Sequence, residues 1–396
     1  MRAFQSIHVL YFDHNATTCV APEVADALSA ALRQVFGNAS STHREGQLAR
    51  QQLEQSRRTI AAFLGAPAAE LVFTSGGTES NNLAILGLVR NLPGERKHVV
   101  TTAIEHPSVL ESCRQLQREG VAVTYVGVDS TGIVDIAEIE SNLRSETVLV
   151  SVMHANNETG SIQPIQEIAA LLLQRRRSGQ DIFFHSDGVQ AFGKIAVDVQ
   201  ALGVDLYSIA AHKIFGPKGV AGLYARKGTP LRGIQYGGRH ERERRAGTEN
   251  VPAAIGFASA VELCAGRPDS THAFRDRFEA EALSRIRDIE INGSKDRRLP
   301  NTSSLLFRGV SGEALVIALD LKGIAVSTGS ACSSGSVEPS HVLLAMGRSR
   351  EEARSSVRFS FGRYNTAGDV AALVEALSGC VGKLQSAPRL EKCLAV

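Results

Sequence analysis

The sequence predicts an α/β fold in which a large domain holds a mostly parallel, seven-stranded sheet and a smaller α+β domain follows it. Two observations predict this fold. Apolar, β-branched runs of four to seven residues alternate with amphipathic stretches, which is typical of βαβ crossovers. After about Cys264 the alternation gives way to a long charged stretch and fewer apolar runs. With 396 residues, 43% hydrophobic content and a net charge of +2, the chain can bury two cores and is not disordered.

The large domain is predicted to span residues 14–264. Its expected strands are Leu71–Thr74, His98–Thr102, Val121–Val126, Thr147–Met153, Asp181–Ser186, Asp205–Ile209 and Gly219–Ala225. Helical periodicity lies between them at Gly46–Leu64, Pro107–Glu119 and Ile165–Arg177. Strands and helices in alternation predict a sheet that is covered on both faces.

The small domain is predicted to comprise residues 1–13 and 265–396, with the boundary in the stretch 265–270, which is rich in Gly, Pro and charge. A charged helix is expected at Ala273–Ile286 and a closing helix near Gly368–Leu384. Strands are expected near Ser303–Phe307, Ile324–Ser327 and Val357–Phe361.

Composition excludes several classes of protein. The six cysteines form no CxxC pair, so neither a disulfide framework nor a zinc site is indicated. No apolar run approaches the ~18 residues of a membrane span, and the near-neutral charge supplies no bulk attraction to nucleic acid. The first ten residues lack the apolar core of a signal peptide. We therefore expect a cytoplasmic protein with reduced thiols, no direct nucleic-acid partner and no membrane partner.

A glycine pair at Gly76-Gly77 follows a predicted strand and precedes a helix. Such a turn lets backbone N–H groups approach an anion, with Thr78 adding a hydroxyl and the helix end its partial positive charge. An ordinary capping turn, with Ser75 or Thr78 as the cap, is an equal alternative.

Two further motifs end apolar strands. Asp187 ends the strand that contains His185, at the edge where open α/β sheets bind ligands, although a helix N-cap is an alternative role for it. His185 itself is expected to be a core histidine. Lys213 follows the next strand, beside His212 and a rigid Gly-Pro turn, and is a candidate amine nucleophile. An anion loop, a strand-end carboxylate and a strand-end lysine are together what pyridoxal phosphate requires.

Cys332 lies in the run Gly329-Ser-Ala-Cys-Ser-Ser-Gly-Ser336 of small residues, where we expect an accessible, reactive thiol rather than a buried structural one. A plain surface loop is the alternative. The neighbours of the other cysteines predict that Cys19, Cys113, Cys264 and Cys380 pack inside the protein.

These motifs resemble, nearly end to end, those of the cysteine desulfurases of nitrogen fixation and iron–sulfur cluster assembly, within the class V aminotransferase family. The matching segments are Tyr11–Thr18, Gly37–His43, Ser75–Glu79, Glu105-His106, His154–Gly160, His185–Gln190, His212-Lys213, Arg244–Asn250, Gly329–Cys332 and Pro339–His341. The length of the segment around Cys332 resembles the first class of these enzymes. The resemblance implies pyridoxal-phosphate fold type I, the aspartate aminotransferase-like fold.

The resemblance also implies a role for each site residue. Lys213 would hold the cofactor, Asp187 its pyridine nitrogen and His106 the face of its ring. Asn157 and Gln190 would reach its phenolic oxygen, and Arg358 and Asn157 the substrate carboxylate. The phosphate would be bound by Gly77, Thr78 and His212, together with Thr248 from the partner of a homodimer. Ala210 departs from the serine common in relatives, so a phosphate hydrogen bond is missing or moved to Ser208 or water.

The implied reaction converts L-cysteine to L-alanine. Lys213 would remove the Cα proton, His106 would shuttle protons, and Cys332 would take the sulfur as a persulfide for a sulfur-acceptor or scaffold protein. A pyridoxal-phosphate aminotransferase or selenocysteine lyase of the same fold is one alternative. A non-catalytic scaffold that binds a sulfur acceptor is another.

Overall fold

The computed structural model describes residues 9–94, 97–266, 271–329 and 338–386. The strands are β1 (Leu10–Tyr11), β2 (Leu71–Thr74), β3 (His98–Thr102), β4 (Ala122–Val126), β5 (Thr147–Ser151), β6 (Phe183–Asp187), β7 (Leu206–Ala210), β8 (Ala221–Ala225), β9 (Ile289–Asn292), β10 (Thr302–Phe307), β11 (Ile324–Ala325) and β12 (Ser356–Ser360).

The helices alternate with these strands in the first two thirds of the chain. They are α1 (Pro22–Gln34), α2 (Arg44–Phe63), α3 (Gly77–Val89), α4 (Pro107–Arg118), α5 (Ile136–Ser141), α6 (Ile165–Arg177), α7 (Val199–Leu202), α8 (Val251–Ala265), α9 (Thr271–Arg285), α10 (Gly312–Asp320), α11 (His341–Ala345), α12 (Arg350–Arg354) and α13 (Ala367–Ser386). None of them is long and apolar enough to cross a membrane.

The predicted seven-stranded sheet is confirmed, with the spatial order β2-β8-β7-β6-β5-β3-β4. Strands β3 to β7 pair in parallel, whereas β8 runs antiparallel to both β2 and β7. The direction of β8 follows from its short connection, because residues 211–220 are too few for the crossover of a dozen or more residues that parallel neighbours need.

The smaller sheet is antiparallel, in the order β12-β10-β9, and packs with α9, α10 and α13 around a core that includes Phe278, Phe307 and Phe359. Strand β9 was not among the predicted strands. The chain start joins this part of the molecule, because Leu10 and Tyr11 pair in parallel with β11 and Asp13 bridges to Ser360. The division at residues 264/265 stays a prediction.

The cysteines outside the proposed site differ in exposure. Cys113 and Cys380 are buried, as predicted, and Cys264 is half-buried. The prediction that Cys19 packs inside is wrong, since its side chain is exposed. The preceding Thr18 turns inward instead, where its Oγ1 donates to His212 O at 3.0 Å and accepts from Phe215 N at 2.7 Å.

Candidate active site

A cavity of about 350 Å³ lies where the carboxyl ends of β2, β3, β5, β6 and β7 meet. This is the edge at which open α/β sheets bind ligands. Its lining includes the predicted site residues Gly77, Thr78, His106, Asn157, Asp187, Gln190, His212, Lys213 and Arg358. Most of them come from the loops after these strands, and Arg358 comes from β12 of the smaller sheet. The cavity therefore lies between the two sheets.

The glycine pair begins helix α3 at the cavity. Gly76 is the N-cap and provides no side-chain cap, so the capping turn based on Ser75 or Thr78 is not what forms. The Ser75 hydroxyl donates to Glu79 instead. A Cβ at Gly77 would lie 2.8 Å from a methyl group of Val189, so only glycine fits there without a shift. The first N–H groups of α3 are thus left for a ligand of negative charge.

Asp187 ends β6 with a side chain that is 6% exposed. Its carboxylate accepts hydrogen bonds from Asn81 Nδ2 at 2.7 Å and from the backbone N–H of Val189 at 3.0 Å. Gly188 follows because Tyr207 leaves no room: a Cβ there would lie 2.0 Å from the Tyr207 ring. The carboxylate is therefore fixed at the floor of the cavity by two hydrogen-bond donors.

The core role predicted for His185 is supported by its contacts in the sheet beneath Asp187. Its ring nitrogens form hydrogen bonds with Ser151 Oγ at 2.8 Å and with Ser208 Oγ at 3.1 Å. Burial lowers the pKa of His185 to about 4. Ser208 is thereby engaged within the sheet, and it does not line the cavity to replace the hydroxyl absent at Ala210.

His106 caps helix α4 and joins a hydrogen-bonded chain that leads to Asp187. Its Nδ1 accepts the backbone N–H of Ser108 at 3.1 Å and contacts Ser108 Oγ at 2.8 Å. Asn81 Nδ2 donates both to Ser108 Oγ at 2.9 Å and to Asp187. Burial lowers the pKa of His106, and the charges of Lys213 and His341 lower it further against the opposing effect of Asp187. The ring is neutral at pH 7, with its proton on Nε2 because Nδ1 is an acceptor.

Lys213 ends the single 3-10 turn that follows β7 and extends to the segment after β1. Its Nζ donates to the carbonyls of Asn15 at 2.6 Å and Ala16 at 2.7 Å. The neighbouring His212 bonds Thr17 Oγ1 at 3.1 Å, and burial together with the charge of Lys213 lowers its pKa to about 4. A neutral His212 can donate or accept a hydrogen bond without adding charge.

Three polar residues that the sequence did not single out organise the site. Asn15 O accepts Gln190 Nε2 at 2.9 Å as well as Lys213 Nζ. Lys194 donates to Gln190 Oε1 at 2.7 Å and to Asn15 Oδ1 at 2.8 Å, which sets the orientation of both amides. Asn81 supports Asp187. Asn81 lies four residues after Gly77 in α3, and this helical spacing was the available signal for it.

Arg358 is 4% exposed and is held from two sides. Its Nη2 donates to Asp13 Oδ1 at 2.6 Å and its Nη1 to Asn157 O at 2.9 Å. Its Nε is buried and has no hydrogen-bond partner. Arg358 lines the cavity, so a carboxylate ligand bound there can accept hydrogen bonds from its guanidinium.

Two predicted site residues are not in this group. Thr248 is exposed, in the loop before α8, and does not line the cavity of the single chain. Cys332 lies outside the described residues, and Gly329, the last described residue before it, lines the cavity.

The cavity fits pyridoxal phosphate by the chemistry of its side chains. It combines a lysine amine, a fixed carboxylate and an uncapped helix start, which match the aldehyde, the pyridinium nitrogen and the phosphate of that cofactor. The residues that would hold it are Lys213, Asp187, Gly77 and Thr78, with His106, His212, Asn157 and Gln190 around them.

Residues 10–373 match the family described as aminotransferase class-V. The chain belongs to this family. It is 45% identical over 381 residues to the cysteine desulfurase IscS of Dictyoglomus turgidum, and the match covers 95% of each chain. A solved NifS-like protein superposes with a TM-score of 0.88 at 34% identity, covering 95% of this chain and 100% of that one. A structure described as SspA in complex with cysteine gives a TM-score of 0.80 at 35% identity, covering 90% and 99%.

These similarities confirm the predicted fold and the prediction of a cysteine desulfurase of this family. They extend over both sheets and over the segment that contains Cys332, since the matched region runs from residue 10 to residue 373. The roles of individual residues remain predictions.

Proposed function

We propose that this chain uses pyridoxal phosphate to convert L-cysteine to L-alanine and carries the removed sulfur as a persulfide on Cys332. The observation that supports this most directly is the single cavity that unites Lys213, Asp187 and Arg358 with the uncapped start of α3. When bound, the cofactor supplies an electron sink for charge that develops at the substrate Cα.

Substrate binding is assigned to Arg358 and Asn157. The guanidinium is already oriented by Asp13 and by the carbonyl of Asn157, so it loses little conformational freedom when it binds a carboxylate. The Nη atoms carry further N–H groups, and paired N–H groups of a guanidinium are the donors that a carboxylate accepts.

Proton transfer is assigned to Lys213 and His106. Lys213 removes the Cα proton from the bound substrate, because its amine reaches the same cavity as Arg358. His106 is neutral at pH 7 and carries its proton on Nε2, so it can donate this proton and take one back at the same atom. Asp187 keeps the proton on the pyridine nitrogen that the electron sink requires.

Sulfur transfer is assigned to Cys332. Its thiolate attacks the substrate sulfur, so an S–S bond forms while the C–S bond breaks and its electron pair stays on the substrate carbon. Protonation of that carbon, together with the return of a proton to Cα in place of the one that Lys213 removed, yields alanine. The persulfide then passes to a sulfur-acceptor or scaffold protein, and a reducing compartment such as the cytoplasm suits a thiol with this task. A homodimer that brings Thr248 to the partner's phosphate site is part of this proposal.

The test is alanine and sulfide release from L-cysteine by the holoenzyme and by Cys332→Ser. We expect the variant to lose both products while it retains the cofactor absorbance. Full alanine release by Cys332→Ser would refute the role of Cys332. Transfer of the amino group to a keto acid, with no sulfur released, would instead indicate an aminotransferase.

A further inference from the structure

Glu158 is a buried carboxyl group to which the proposed mechanism gives no task. It follows Asn157 in the loop after β5 and is 4% exposed. Burial raises the pKa of Glu158, and the nearby charges of His341 and Arg358 only partly oppose this effect. The backbone N–H of Glu158 donates to Asn156 Oδ1 at 2.8 Å, which holds this part of the loop. Such a group is costly to bury, so its contacts indicate what it does.

One contact of Glu158 is with Ser340. Ser340 Oγ donates to Glu158 Oε2 at 2.5 Å. The same hydroxyl accepts the backbone N–H of Leu343 at 3.1 Å, because Ser340 is the N-cap of α11. Ser340 is 2% exposed, so this bond is shielded from water. The carboxyl group thereby fixes the first turn of α11.

The other contact is with Gly329, which lines the cavity. A Cβ at Gly329 would lie 3.0 Å from Glu158 Oε2, so the backbone of Gly329 packs directly against the carboxyl group. Gly329 has a φ of +86°, a conformation that favours glycine, and its N–H donates to Ser327 Oγ at 3.1 Å. The same oxygen of Glu158 therefore accepts from Ser340 and occupies the space into which a side chain at Gly329 would project.

Gly329 and Ser340 flank the part of the sequence that contains Cys332. We propose that Glu158 is a positioning residue that fixes Gly329 and Ser340 relative to each other, and that the reaction of Cys332 with the substrate sulfur depends on this placement. The inference rests on the proposed role of Cys332. Its physical basis is the length of the side chain, since one carboxyl oxygen has to accept from Ser340 Oγ and also lie beside Gly329.

The test compares Glu158→Asp with Glu158→Gln in the holoenzyme. Aspartate keeps the acid but withdraws it by one methylene, whereas glutamine keeps the length and an oxygen that can accept from Ser340. Two quantities are measured: kcat for alanine release from L-cysteine, and the Kd of S-methylcysteine from the absorbance change of the bound cofactor. S-methylcysteine offers the same carboxylate and amine but no sulfur that Cys332 can take as a persulfide.

We expect Glu158→Asp to lower kcat about tenfold or more, because small displacements of reacting groups carry penalties of this order. The Kd of S-methylcysteine should change less than about twofold, and Glu158→Gln should recover most of kcat. Wild-type kcat in Glu158→Asp would overturn the proposal. Equal losses in kcat and in S-methylcysteine binding would also overturn it, since they would indicate a general disturbance of the cavity.

A second pair of variants decides the matter if Glu158→Asp does not fold. Ser340→Ala removes the partner of Glu158 together with an N-cap, and Ser349→Ala removes the matched N-cap of α12, which has no contact with Glu158. We expect kcat to fall in Ser340→Ala and to persist in Ser349→Ala. Equal kcat values in the two would contradict the proposal. Alanine release that persists in Cys332→Ser would refute the proposed function separately, whatever the Glu158 variants show.

Discussion

Replacement of Arg358 by lysine tests whether the fixed guanidinium binds the substrate carboxylate. Arg358 donates to Asp13 and to Asn157 O while its buried Nε remains unpaired. A lysine ammonium has no planar fork, so it cannot satisfy both existing acceptors and a carboxylate with the same geometry. We therefore expect Arg358→Lys to retain the positive charge but to lose at least one charge-assisted hydrogen bond to the substrate.

The magnitude follows from the worth of that bond. A hydrogen bond to a charged group contributes about 1.5–3 kcal/mol, and each 1.4 kcal/mol corresponds to about a factor of ten. The value of kcat/KM for L-cysteine should thus fall about 10- to 150-fold, mostly through KM if binding to ground and transition states is equal.

The assay is steady-state alanine release over a range of cysteine concentrations. Arg308→Lys is the matched control, because Arg308 is a surface arginine with two carboxylate partners, Glu290 and Glu352, away from the cavity. It should leave kcat/KM unchanged. A decrease of less than about threefold in Arg358→Lys would refute the assignment of the carboxylate to this residue.

Three further variants test the support of the site. Asn81→Ala removes the side-chain donor to Asp187, so the affinity of the apoprotein for pyridoxal phosphate should fall about tenfold, as measured by titration of cofactor absorbance. His185→Asn should reduce the loss of folding stability on acidification. The pKa of His185 in the folded state is about 4, below its ordinary value, so the stability that the neutral ring contributes is present above about pH 6.5 and is lost as the pH falls towards 4. At pH 5.5 the loss is about 1.4 kcal/mol. Gly188→Ala would place a Cβ 2.0 Å from Tyr207 and should cost about 3 kcal/mol of unfolding free energy.

Matched measurements make these outcomes decisive. For His185→Asn, the urea concentration at the unfolding midpoint is measured at pH 7 and at pH 5.5, and the change between the two pH values is compared with that of the wild type. An equal change in the variant and the wild type would mean that burial does not lower the pKa of His185. For Gly188→Ala the control is Gly382→Ala, where a Cβ meets no atom within 4 Å and a helical position favours alanine. Similar stabilities of the two alanine variants would contradict the steric argument.

The sequence predicted the central sheet well because its strands are buried on both faces. Leu71–Thr74 and His98–Thr102 form at the predicted bounds, as does the helix Ile165–Arg177. Such strands appear as continuous apolar runs whatever their neighbours are. Strand Ile289–Asn292 was missed, because at four residues it follows a charged helix closely and its side chains are largely half-buried.

The candidate site was predictable where a residue stands at the end of a strand, as Asp187 and Lys213 do. The residues that orient them were not, because their roles depend on contacts between distant parts of the chain. Asn15 is hydrogen-bonded to Gln190 and to Lys194, which lies 179 residues later in the sequence. Asp13 is paired with Arg358, which lies 345 residues later. The exposure of Cys19 was misjudged for the same reason, since the inward position of Thr18 depends on its contacts with the turn at His212.

The segment Asp13–Ala16 has a consequence for how the enzyme is made. Its carbonyls receive the lysine amine, and its aspartate holds Arg358 on β12, which comes 345 residues later. Contacts of such sequence separation form late, and during synthesis they form only after the distant strand has left the ribosome. Asp13 therefore waits for a strand that is translated 345 residues later before it can hold Arg358. A chain that ends before β12 lacks Arg358, the residue to which binding of the substrate carboxylate is assigned.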